Sequence, residues 1–230
     1  MTTAAVIDPR SVPKSSLSWP AAFRLRPASV PINEYAENVE SNAGDIEALI
    51  NLCSEVGRHN QGLVPLGFAT PHSMPPAVVS AFANPAPEWH FAPTGLAHIA
   101  VAETLKGALA LGAEQYGQFL KDTEQPACRV SFVMERFLVK GSFSDITDTE
   151  VFSACYNTVD YTVMHQLARG LSDTESDGFV YDVESQKYAV VLKPECLSGH
   201  AEERAIALEW DGMQFSRYFD YRDLFWSDLS

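Results

Sequence analysis

Four histidines, His59, His72, His90 and His98, lie in the first half of the chain and are the first residues whose type suggests chemistry. A neutral imidazole binds zinc or iron, so a metal site is one reading. Their spacings match no ligand pattern, and no acidic residue stands at a ligating offset. Isolated polar histidines with no metal are therefore the expectation. Two carboxylates, Glu103 and Glu114, fall on or beside a long helical segment. Either could act as a general acid or base, or stabilise a developing positive charge. The alternative is a solvated helix face, or a first-turn acid favoured by the helix dipole. The chain has no Gly-x-Gly-x-x-Gly, P-loop, Gly-x-Ser-x-Gly or His-Glu-x-x-His motif.

The charge balance narrows the partners. The formal net charge is −14 over 230 residues. Such a surface repels phosphate backbones and anionic lipid, so direct nucleic-acid binding and membrane binding are not expected. A basic protein partner would suit it. No uninterrupted apolar run approaches the roughly 20 residues that span a bilayer. Cys53, Cys128, Cys155 and Cys196 are far apart and form no Cys-x-x-Cys pair, as expected of free thiols in a reducing, cytoplasmic setting. Residues 1–18 lack the charged and apolar regions of a signal peptide and are expected to be a flexible tail.

The elements that must position these side chains can be placed by periodicity. At 46% hydrophobic residues, the chain can fill a sizeable core. No repeat or linker divides residues 19–230, so a single domain is expected there. Asn42 to Gly57 has the spacing of a helix, with Ile46, Leu49, Ile50, Cys53 and Val56 on one face. A Pro-rich segment, Leu63 to Pro76, precedes a short helix over Ala77–Ala83. Gly95–Val101 is expected as a strand and Thr104–Asp122 as an amphipathic helix. That helix would turn Leu105, Ala108, Leu109, Gly112, Tyr116, Phe119 and Leu120 to one side. Arg129–Val139 alternates like a strand. Asp148-Thr149 can cap a helical region reaching about Leu171. Three strands follow, Phe179–Asp182, Tyr188–Leu192 and Ala205–Trp210. Asp211-Gly212 then turns the chain into Gln214–Phe219.

The order of these pieces resembles the RES-domain family. Ala22-Phe23-Arg24-Leu25-Arg26 and Pro31-Ile32-Asn33 look like its opening strand and loop. Asp45 to Leu49 is similar to the helix that follows. Val78 to Pro85 is similar to the segment before the family's first catalytic block. His90-Phe91, Gly95 and Gly107-Ala108-Leu109-Ala110 fall where that block and its helix would lie. Asp177-Gly178-Phe179-Val180-Tyr181, Ala189 to Pro194 and Trp210-Asp211-Gly212 resemble the C-terminal block. The resemblance covers roughly residues 19–219. It implies an α+β fold like that of ADP-ribosyltransferases, with a mixed, mainly antiparallel sheet packed with helices.

The resemblance also implies a function. The best-known RES proteins are toxins that consume NAD⁺ and pair with a helix-turn-helix antitoxin; a homodimer is a further expectation. NAD⁺ would be substrate or ligand, and no cofactor is required. Breaking the nicotinamide–ribose bond builds positive charge on the ribose, which a carboxylate stabilises. Arginines hold the pyrophosphate. Carried over by position, the first arginine is Arg24, with Arg26 nearby. The second arginine is His90. The tyrosine of the strand falls near Ile99 or Ala100, with His98 just upstream. The glutamate falls on Leu111, with Glu114 one helical turn away. The serine after Tyr181 falls on Val183, in a shortened loop where Ser185 is the offset candidate. Two readings follow. One is a RES-like protein with a degenerate site that binds a nucleotide or a protein. The other is an active NAD⁺ glycohydrolase or phosphorylase, rearranged around Arg24, His90, His98, Glu103 or Glu114, Tyr181 and Ser185.

Overall fold

A computed structural model describes residues 7–28, 74–83 and 88–229. The helix expected over Asn42–Gly57 lies outside these residues. So do most of the Pro-rich segment, the Pro31–Asn33 loop, and Cys53, His59 and His72. In chain order the described elements begin with β1 (Lys14–Pro27), α1 (Pro76–Ala83), β2 (Ile99–Ala102) and α2 (Leu105–Asp122). They continue with β3 (Cys128–Asp145), α3 (Thr162–Ser172), β4 (Gly178–Val183) and β5 (Gln186–Val191). The last three are β6 (Leu197–Trp210), β7 (Phe215–Asp220) and β8 (Phe225–Asp228). The class is mixed α and β with mostly antiparallel pairing; β3 and β4 run parallel.

The described residues fall into two compact units. One takes residues 7–24, 74–83, 88–108 and 136–200; the other takes 25–28, 109–135 and 201–229.

In the first unit the strand order is β1-β2-β5-β4-β3. All of β2 is buried, as are Gly178–Tyr181 of β4 and Tyr188–Val191 of β5. Strands covered on both faces need near-continuous apolar sequence, and Ile99-Ala100-Val101-Ala102 supplies it. Trp19, Val78, Val101, Phe137, Phe143 and Val191 belong to the same core. Gly178 has φ +153, and a Cβ there would lie 2.0 Å from the Val190 carbonyl oxygen. Only glycine allows β4 to lie that close to β5. The β4–β5 hairpin closes through Glu184 and Ser185, both in the left-handed region at φ 49 and 64. Two such residues match the right-handed twist of the strands.

Order in this unit begins before Trp19. Val12 is buried, Pro13 accepts a bond from Asp145 N (2.7 Å), and β1 starts at Lys14. α3 is shorter than the helical region expected from Asp148. Asn157 Oδ1 accepts from Val159 N and Asp160 N, and Asp160 Oδ1 accepts from Thr162 N. These side chains satisfy the backbone in turns, so the helix waits until Thr162. Met164, Leu167, Ala168 and Leu171 then form its buried stripe.

In the second unit, Leu109 and Leu111 of α2 are buried and Tyr116 meets Phe132 edge-on at 5.1 Å. Phe119, expected inward, is exposed. β6, β7 and β8 form a meander. Trp210 is fully buried and donates from Nε1 to the Gln125 carbonyl at 2.9 Å. Arg129 and Arg217 both lie over the Trp226 ring, at 5.1 and 4.7 Å.

Candidate functional site

Of the residues expected to do chemistry in the first unit, His90 and His98 lie in and beside a buried turn. Trp89 and Ala92 exchange backbone bonds, each 3.1 Å, which puts His90 and Phe91 at the tip. Turn tips usually face solvent. Here Trp89, His90, Phe91 and Ala92 are all buried. A stack of rings holds the tip. Tyr161 lies on His90 (4.9 Å, 20°) and His90 on Phe91 (4.2 Å, 22°). Phe91 lies on Tyr181 (3.8 Å, 22°), and Tyr181 on Tyr188 (5.1 Å, 19°). The last pair is fixed by the β4–β5 register, which sets Tyr181 opposite Tyr188. Tyr181 is 1% exposed, so it offers no open face to a nucleotide base.

The hydrogen bonds around this turn fix which ring nitrogen of each histidine donates. Trp89 Nε1–H donates to His98 Nε2 at 3.3 Å. An indole can only donate, so His98 carries its proton on Nδ1 and donates it to the Leu96 carbonyl at 2.8 Å. His90 donates from Nε2 to the Cys155 carbonyl at 2.9 Å, and His165 donates from Nε2 to the Trp89 carbonyl at 2.9 Å. Burial pushes His98 below the ordinary imidazole value, and the nearby Arg24 guanidinium pushes it the same way. Burial also lowers His90, with a smaller push from His165, against the bond to Cys155. Both rings are therefore neutral at pH 7 and bonded to the protein. Neither offers the cationic charge that a pyrophosphate clamp needs.

Arg24 shares the surroundings of His98. The other candidates lie elsewhere. Glu103 is exposed just before α2, its backbone N–H bonded to the Lys187 carbonyl. Ser185 is exposed in the β4–β5 turn. Arg26 and Glu114 belong to the second unit. Arg26 donates from Nε to Glu135 (2.9 Å) and from Nη2 to Glu202 (3.0 Å), so its guanidinium is already committed to carboxylates. Glu114 is exposed on α2; surrounding protein pushes its carboxyl above the ordinary value, but its open side chain keeps that push weak. Leu111, where the resemblance places a glutamate, is buried. Among the described residues, no group of three or more His, Cys, Asp or Glu side chains is placed to hold a metal ion.

Several residues of these clusters gave no signal in the sequence. Trp89, Tyr161 and His165 meet His90 and His98 only through the fold. Glu135 is fully buried on β3, inside an alternating strand pattern that marks its neighbours but not a charge. Two of the described thiols are held in their protonated form by their surroundings. Burial pushes Cys155 up to about 11, and burial with Asp177 beside it pushes Cys196 up to about 12.

No protein-family model matches this chain, and no curated protein matches it. Among solved structures it is similar to the crystal structure of the M. tuberculosis MbcT–MbcA toxin–antitoxin complex. The identity is 11% and the TM-score 0.43, with 92% of this chain and 91% of that chain covered.

Proposed function

We propose that this protein is RES-like, has a degenerate site, and acts by binding a nucleotide or a protein partner without cleaving NAD⁺. The observation that carries this reading is the commitment of the matched positions to packing. His90 and His98 are neutral and bonded within the protein. Leu111 is buried where a carboxylate would be needed, and a leucine cannot stabilise positive charge on a ribose. Loss of one preorganised electrostatic group costs about 10²–10³ in rate. Groups that act as a unit fail together. Glu103 and Ser185 face water, where a charge or hydroxyl is screened and poorly positioned.

The partner implied by the resemblance is a helix-turn-helix antitoxin. A net charge of −14 favours a basic binding face on that partner. Calorimetric titration with NAD⁺, together with capture of a co-expressed helix-turn-helix protein, tests the reading. Saturable binding of one of them is expected. Failure of both overturns it. Release of nicotinamide above blank would replace it with the rearranged glycohydrolase or phosphorylase.

A further inference from the structure

The buried turn at Trp89–Ala92 is held by bonds that respond differently to acid. His165 donates to the Trp89 carbonyl and His90 donates to the Cys155 carbonyl, and an added proton leaves both bonds intact. His98 is different. Its Nδ1 already donates to Leu96, so an added proton must go to Nε2, the atom that accepts from Trp89. Two N–H groups would then point at each other. We propose that His98 is an acid-sensitive latch: protonation at Nε2 breaks its bond to Trp89 and frees the Trp89 indole, while the two remaining bonds keep the turn in place.

The charges around the latch set its direction. Arg24, from β1, is the cation whose field reaches His98, and it opposes the added proton. His165, from α3, acts in the same sense on His90. His90 keeps its bond to the Cys155 carbonyl when a proton is added, so His90 is not the group that opens the latch. The folded state holds His98 neutral, and an unfolded or released His98 takes a proton at about pH 6.5. The grip is therefore complete above that pH and weakens as the pH falls below it.

The test uses the full chain labelled with 5-fluorotryptophan. Trp19, Trp89, Trp210 and Trp226 give four ¹⁹F resonances, and Trp89→Phe identifies one. As the pH falls from about 7.5 to about 5, the Trp89 resonance should shift reversibly towards that of a solvated indole while the other three hold still. His98→Gln keeps an acceptor but cannot titrate, and should abolish the shift. An unmoved Trp89 resonance, an equal shift in His98→Gln, or movement of all four together would overturn the proposal. Should His98→Gln not fold, ¹⁵N-histidine spectra of the unaltered protein decide. A proton on Nδ1 of His98 at neutral pH supports the latch, and a proton on Nε2 overturns it.

Discussion

Arg26 and Glu135 show how a side chain suited to binding can be absorbed by packing. Glu135 is fully buried, and Arg26 bonds to it at 2.9 Å. Removing one partner of a buried pair typically costs about 3–5 kcal/mol, because the other is left charged in a dry site. Arg26→Ala should therefore lower the unfolding free energy read from urea titration by an amount near the lower end of that range. A pyrophosphate-binding arginine would instead lose nucleotide affinity at unchanged stability. The histidines give a second prediction at this scale. His90 and His98 both have folded pKa values below the ordinary one. The unfolded chain then binds protons first as the pH drops. Stability should be flat above about pH 7 and fall below about 6.5, with a shallower fall in His98→Gln. Urea titrations across that range read this directly. The types of these residues were legible in the sequence, but their states were not. The bond from His90 to Cys155 spans 65 positions, and nothing local announces it.

At the scale of elements, glycine and turn geometry make the sharpest predictions. Gly178→Ala would drive a methyl group into the Val190 carbonyl, which lies on a paired strand and cannot step aside. A loss of roughly 3 kcal/mol or more, seen as a large fall in Tm or as insoluble protein, is expected. The β4–β5 turn invites the opposite result. Glu184 and Ser185 both sit at positive φ, where Asn-Gly is preferred. The double change Glu184→Asn, Ser185→Gly should raise stability by about 1 kcal/mol and leave ligand binding unaltered. Loss of NAD⁺ binding in that variant would instead restore Ser185 as a site residue. α1, α2, β4 and β5 fall within a few residues of the spans expected from periodicity, because their apolar spacing is strong. β8 gave no clear pattern: its four residues are too few to show a period and none is buried. The late start of α3 was hidden because Asp148 is a good cap; the Asn157 and Asp160 turns that displace the helix depend on local backbone geometry.

At the scale of the whole molecule, composition and connectivity carry different information. The charge of −14 predicts that duplex DNA is not retarded by this protein at physiological salt. A basic partner should instead bind it with an affinity that falls as salt rises. The mixed α and β class was legible from the alternation of strand-like and helix-like segments. The division into two compact units was not. Among the described residues the chain passes between the units at 24/25, 108/109, 135/136 and 200/201, inside β1, α2, β3 and β6, with a further return before residue 74. No composition shift or linker marks such crossings. Nicotinamide release tests most directly the proposal that this chain binds without cleaving NAD⁺. Pure protein incubated with NAD⁺, with and without phosphate and on both sides of pH 6.5, should release no more nicotinamide than the buffer blank. Release that scales with protein concentration would contradict the account.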